Sequence, residues 1–285
     1  MLLLTLGLLA GTAAARSNAT KPIVFPVFGA AHYVDDFGDV RAGGRHQGID
    51  IMATKRSLAL AAEAGKVKFW TTSASAGCML YLYGASGTTY YYIHLNNDLT
   101  RRNDNRGKCV PGTAYARGLK DGAKVAAGQP VGFVGDSGDA DGIHAHLHFE
   151  VHPAGKGAVD PYPYLQSAQH LLFAAPRGSP FTLELKGTVA SVPPDSVRIK
   201  AGSVDAWPMR QHQAKLGRKL LVLVPGSATV QSVTKPGGLG TPARLSSAKA
   251  GQQVDLWTAV APTTLKAQRG DDLALTASLV SLVTR

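Results

Sequence analysis

The stretch "GIHAHLHFEV", Gly142 to Val151, sets three histidines at alternate positions: His144, His146 and His148. Side chains two apart in a β-strand point to the same face. Leu147, Phe149 and Val151 alternate with His146, His148 and Glu150, which predicts a strand with one apolar side and one histidine side. Leu147 and Phe149 then anchor the strand in a core, and Glu150 is expected to be structural. The histidine side has two readings. One is a solvated polar face. The other is a metal or acid–base site, for which imidazole is the usual side chain.

Short apolar runs recur upstream: "KVKFW", "CMLYLYG", "TTYYYIHL" and "PVGFVG", punctuated by Gly, Asn or Asp. No long stretch has a 3.6-residue period, and Ser57 to Ala64 reads as a helical turn or two. Apolar residues make up 45% of the 285 and charged ones 17%, with 32 Gly and 16 Pro, so a folded, turn-rich, mainly β chain is expected and disorder is not. Beyond the Pro- and Gly-bearing joint "FAAPRGSPF", Phe173 to Phe181, come "FTLELKGTVASV", "DSVRIKAG", "KLLVLVPG", "QQVDLWTAV" and "DLALTASLVSLV". Their spacing predicts a second unit, a small β-barrel or sandwich, OB-like. The expected organisation is a leader over 1–15, a first domain over 16–172, a linker over 173–181 and a small basic β-domain over 182–285.

The apolar run Leu2 to Ala10 leads to Ala13, Ala14 and Ala15, a small-residue cleavage pattern. This reads as a secretory signal peptide with the mature chain starting near Arg16; the alternative is a buried N-terminal helix. The run is too short to span a membrane, and no later apolar stretch is long enough, so no transmembrane segment is expected. The formal charge is +11, of which +8 falls from Pro176 onward. A basic surface suits polyanions in general, and export argues against nucleic acid as the partner. Two cysteines, Cys78 and Cys109, suggest a disulfide in an exported chain; the alternative is two buried thiols.

Two further motifs stand upstream. "RHQGIDI" places His46 and Asp50 four apart, with Gly48 allowing a tight backbone path. "YYYIHLNND" puts His94 at the end of an aromatic strand, expected on one face with Tyr90 and Tyr92. Two histidines and a carboxylate make a catalytic zinc set that leaves a fourth position open, and two more histidines are available for protons. A closed structural site would need four ligands, often Cys, and the sequence offers no such set.

The order "HQGID", "YIHL", "GQPVGFVGDSGDADG" and "HLHFEV" resembles the lysostaphin/LytM-type zinc metalloendopeptidases of bacterial cell walls. The resemblance runs from about Lys21 to Leu165, and H-x-x-x-D followed by H-x-H is specific as a combination although neither motif is alone. It implies a mainly β, antiparallel-sheet barrel-sandwich hybrid, the duplicated hybrid motif, with the motifs on adjacent strands flooring an open groove. It implies one Zn²⁺ per chain held by His46, Asp50 and His148, with His94 and His146 as the catalytic histidines. His144 has no counterpart role, and Ala145 stands where many members have proline. Asn96 to Lys124 is longer than in compact members and is expected to wall the groove, with Cys109 tied to Cys78.

The implied activity is hydrolysis of a peptide crosslink or stem in peptidoglycan by a secreted, wall-associated enzyme. The basic C-terminal part is expected to meet anionic cell-envelope polymers. One rival is a non-catalytic wall-binding or regulatory protein on the same fold. Another is a carrier domain, since "DGAKVAAGQPVGFVG" resembles biotinyl and lipoyl hairpins; but the tip "GDSGDADG" has no lysine to carry the group.

Overall fold

The computed structural model describes residues 22–71, 73–100 and 102–284. The expected signal peptide, 1–15, lies outside them.

The first half is built on five main strands: β1 (Ile49–Ala53), β2 (Gly65–Trp70), β3 (Cys78–Gly84), β4 (Thr89–Leu95) and β5 (His146–His152). With two short edge strands they form a seven-stranded antiparallel sheet, ordered Ala31–His32, β1, β5, β4, β3, β2, Lys124–Val125. The last strand in the chain, β5, therefore lies in the middle. Its alternation explains this: Leu147, Phe149 and Val151 are fully buried, packed in one core with Ile49, Ile51, Leu80, Leu82 and Tyr92. Each such side chain contributes on the order of 1.5–3 kcal/mol by burial.

Leu58–Leu60 pairs with Pro130–Phe133 in a second, two-stranded sheet. The tyrosine hydroxyl of Tyr92 links the two sheets, donating to Leu60 O and accepting from Ala62 N. The helical turn expected over Ser57 to Ala64 is thus replaced by a strand. Leu and Ala favour helix locally, but pairing with a segment some seventy residues later buries Ala59 and Leu60.

Cys78, at the start of β3, is disulfide-bonded to Cys109. The long segment around Cys109 is packed. Tyr115 stacks on Phe69 at 3.7 Å between centroids, and its hydroxyl donates to Met79 O. Asp98, fully buried, accepts from Lys55 and from the backbone N–H groups of Asp104 and Asn105. The bridge spans 31 residues of sequence, for which loop closure gives about 3–4 kcal/mol. Reduction should lower stability in guanidinium melts by about that amount. Thiol titration of the unfolded, unreduced protein should find no free thiol; two free thiols there would overturn the bond.

The second half closes on itself. Its main strands are β6 (Pro180–Ser191), β7 (Ser196–Trp207), β8 (Gln211–Leu223), β9 (Gln253–Thr258) and β10 (Leu275–Val283). β6 pairs with β7 and β9, β7 with β8, and β10 with both β9 and β8, the last pairing parallel. The ring is complete, so this unit is a barrel and not a sandwich. Leu183, Leu185, Val197, Ile199, Val222 and Val280 fill it. Phe173 and Phe181, the ends of the joint, stack at 4.5 Å within this second core. The only α-helices among the described residues are Tyr162–Gln166 and Leu265–Arg269, and no helix there is long and apolar enough to cross a membrane.

Candidate metal centre

β1 and β5 run antiparallel with Asp50 directly opposite His148. His46 lies just before β1. Gly48 lets the chain pass between them, because a Cβ there would stand 2.7 Å from His148 Nε2 and 2.6 Å from Phe149 O. The result is three donor atoms in one place. His46 Nε2 is 2.8 Å from His148 Nδ1, and Asp50 Oδ1 is 3.0 Å from His148 Nδ1 and 3.2 Å from His46 Nε2. All three residues are buried, and together they form a group able to hold a metal ion.

The opposite ring nitrogens explain the orientation. His46 Nδ1–H donates to Asp36 O at 2.9 Å; a carbonyl only accepts, so the proton is on Nδ1 and the lone pair on Nε2. His148 Nε2–H donates to Glu150 Oε1 at 3.0 Å, which turns Nδ1 towards Asp50. Glu150 also accepts from His152 Nε2, so it is a buried brace between two imidazoles. Partners of this kind fix the tautomer of a metal-binding histidine and raise its basicity.

His146 and His94 stand beside this group. His146 Nδ1–H donates to His144 O, and its Nε2 is 3.7 Å from Asp50 Oδ1. His94 Nδ1–H donates to Ser137 O at 2.8 Å, and its ring centroid is 5.1 Å from that of His146. Thus each of the four imidazoles has one nitrogen held by a backbone carbonyl or by Glu150, which sets where its other nitrogen points. The expected face-sharing of Tyr90, Tyr92 and His94 does not occur. Tyr90 and Tyr92 are in the core, whereas His94 has φ +59° and turns into the cleft. Left-handed backbone at His94 breaks the two-residue alternation of β4.

Charge and burial act strongly here. Burial and then the neighbouring His146 pull His94 down to about 4, so it is neutral at pH 7. Burial opposes protonation of His148, yet the bonds to Asp50 and Glu150 prevail and push it up to about 9 without metal. Burial likewise opposes the Asp50 charge, but the hydrogen bond from His148 and the close contacts with the His46 and His146 rings hold its carboxyl well below the usual range. Asp50 is therefore an anion, and His94 a neutral base.

The cleft is lined by Arg41 and residues 43–47 and by Ser75, Ala76 and Asp139. None of the described residues of 96–124 is among those lining this cleft. Asn103 and Asn105 instead bond to Asp141, bracing the Asp139-bearing turn from behind. His144, expected at the rim, is exposed.

No family model matches the chain. Over 146 residues, 47% of this chain, it is 28% identical to the L-Ala–D-Glu endopeptidase of Bacillus subtilis (strain 168). The chain spans 40% of the length of that relative. The motif order, the three converging donors and this relative agree. The chain is similar to the lysostaphin/LytM type. Solved structures similar over about half of this chain include two endopeptidases. The catalytic domain of lysostaphin from Staphylococcus simulans is 26% identical with a TM-score of 0.37, over 48% of this chain and 93% of that one. A putative glycyl-glycine endopeptidase LytM from Ruminococcus gnavus is 26% identical with a TM-score of 0.40, over 51% of this chain and 59% of that one.

Around this site, sequence reasoning missed Asp36, Arg41 and Ser137. Ser137 Oγ donates to Leu95 O and accepts from Cys78 N, while its carbonyl holds His94. Asp36 and Ser137 act on the ring nitrogens through main-chain oxygens, which no residue pattern advertises.

Proposed function

We propose that this protein is a secreted zinc metalloendopeptidase that hydrolyses peptide bonds in the crosslinks or stems of bacterial peptidoglycan. The observation that carries the reading is the donor set: His46 Nε2, Asp50 Oδ1 and His148 Nδ1 converge, with His94 and His146 presenting free nitrogens beside them. Two imidazoles and one carboxylate fit Zn²⁺ and leave a coordination position for catalysis. A bound Zn²⁺ supplies Lewis acidity, polarising a peptide carbonyl and lowering the pKa of water to about 7.

The chain's own residues do the rest. His46, Asp50 and His148 hold the ion. Asp36 O and Glu150 keep the two imidazoles in the binding tautomer. His94 and His146 accept a proton, meet the developing oxyanion or protonate the leaving amine. The open cleft admits an extended chain, and the named activity of the Bacillus relative supports a peptidoglycan peptide as that chain. Metal analysis of the purified protein, with mass spectrometry of digested peptidoglycan of several crosslink types, tests this. Expected are one zinc per chain and a new peptide terminus within the muropeptides; intact muropeptides with every crosslink type would reject it.

Export follows from the leader over 1–15, outside the described residues. N-terminal sequencing of exported protein should begin at Arg16; an intact Met1 would reject this. The basic domain expected over 182–285, which contains nearly all of the barrel, is proposed to hold the enzyme on anionic envelope polymers. Lys200 and Lys219 support this: they are directly opposite each other on β7 and β8, and both are exposed. Like charges so placed repel, which an anionic ligand relieves. Lys200→Glu with Lys219→Glu should weaken retention on cell walls at low salt, where unscreened charge counts most, and spare cleavage of a short soluble peptide. Unchanged retention at low salt would exclude this role for the pair.

A further inference from the structure

We propose that Asp36 and Arg41 form a clamp that positions His46 and Asp50 and confines Asp50 to binding a metal through one oxygen. The proposal rests on the metallopeptidase reading of the same site. It goes beyond that reading by assigning positioning roles to two residues that hold no metal themselves.

The two carboxylate oxygens of Asp50 are divided between different partners. Oδ1 faces the nitrogens of His46 and His148 at 3.2 and 3.0 Å. Oδ2 is held by Arg41 Nη1 at 2.8 Å. The other arm of the same guanidinium, Nη2, donates to Asp36 Oδ2 at 2.9 Å. Asp36 closes the circuit, since its Oδ1 accepts from the backbone N–H of Asp50 at 3.3 Å and its main-chain oxygen orients His46. One buried aspartate therefore touches both a ligand imidazole and the backbone of the ligand carboxylate.

The local chain is folded to make this possible. Val40–Arg41 pairs with Gly44–Arg45 in a short hairpin, and Gly44 takes φ +124°, which a side chain rarely adopts. Gly38 N donates to His46 O, and His46 N donates to Asp39 O. Residues 36–46 thus form a loop that returns onto its own ligand histidine, with Arg41 reaching back across it. Whereas a lysine offers a single flexible ammonium, the guanidinium fork presents two arms in fixed directions, one to each carboxylate. Its charge also separates two buried anions, Asp36 and Asp50, that would otherwise repel.

The chemical consequence concerns the open coordination position. A carboxylate with both oxygens free can take a cation with both, occupying space that a water or substrate oxygen needs. With Oδ2 held by Arg41, Asp50 offers only Oδ1. Outer partners of metal ligands commonly change affinity 10- to 100-fold when removed.

The test uses the intact chain carrying Arg41→Met, Arg41→Lys or Asp36→Asn, each stripped of metal and refilled. Zinc affinity is measured by chelator competition at fixed pH. The visible spectrum of the cobalt(II) form reports coordination number, because its intensity falls as ligands are added. Arg41→Met should bind zinc about 10- to 100-fold more weakly. Its cobalt spectrum should weaken as the released oxygen joins the ion. Arg41→Lys should recover part of both, because it restores the charge but not the fork. Asp36→Asn should also weaken zinc binding, because the guanidinium loses one anchor. Wild-type affinity with an unchanged cobalt spectrum in Arg41→Met would overturn the clamp. So would tighter binding, which would mean that Arg41 competes with the metal. A wild-type chain that takes up neither ion would reject the metallopeptidase reading itself, and it would do so before any variant is compared.

Discussion

His148→Ala should leave the protein folded, nearly free of zinc and without measurable peptidoglycan cleavage. His148 is the one proposed ligand on β5, and its Nδ1 is the nitrogen nearest to both other donors. Removing it leaves His46 and Asp50, two donors where a catalytic zinc site needs three. The loss should exceed the 10- to 100-fold expected for an outer partner, because a direct bond disappears. The fold should survive, since the neighbours Leu147, Phe149 and Val151 keep β5 anchored in the core. Glu150 retains His152 as a partner and so is not left as an unpaired buried charge. Metal analysis after dialysis, far-ultraviolet circular dichroism and muropeptide release on one preparation check all three parts. Stoichiometric zinc in folded His148→Ala would remove His148 from the ligand set.

Much of this site was legible because strand geometry is periodic. Alternation alone put His146 and His148 on the face away from Leu147 and Phe149, and the four-residue spacing put His46 with Asp50. The structure brings all three proposed ligands together by one antiparallel register, Asp50 against His148. What could not be read depends on features without a local signature. The turn of His94 into the cleft needs φ +59° in a non-glycine residue, and nothing in "YIHLNN" announces it. The strand at Leu58–Leu60 exists because of a partner at Pro130–Phe133, a non-local pairing that overrides helix-favouring Leu and Ala. Closure of the barrel depends likewise on the parallel contact of β8 with β10, some fifty residues apart in sequence. The long segment Asn96 to Lys124 was expected to wall the cleft on length alone. Its described contacts tie Asn103 and Asn105 to Asp141, two residues beyond the cleft-lining Asp139.

The proposed division of labour is tested most sharply by His146. His146→Ala should retain close to one zinc per chain while turnover falls by a factor on the order of 10²–10⁴, the usual range for a lost acid–base group. Its Nε2 is 3.7 Å from Asp50 Oδ1, further than either proposed ligand nitrogen, and its Nδ1 is tied to a carbonyl two residues back. His94 should behave alike, but alanine is the wrong probe there. Alanine tolerates left-handed backbone less well than histidine, which would mix a folding defect with a catalytic one. Asparagine tolerates left-handed backbone and lacks a basic nitrogen, so His94→Asn isolates the chemistry. Because burial keeps His94 neutral down to about pH 4, its loss should lower turnover by a similar factor across the neutral range. Zinc content and cleavage rate are read together on both variants and on His148→Ala. If His146→Ala loses zinc as completely as His148→Ala, His146 is a ligand. The proton-handling role would then fall to His94 alone, and Asp50, whose Oδ1 lies within reach of three imidazoles, would be the centre from which the site is redrawn.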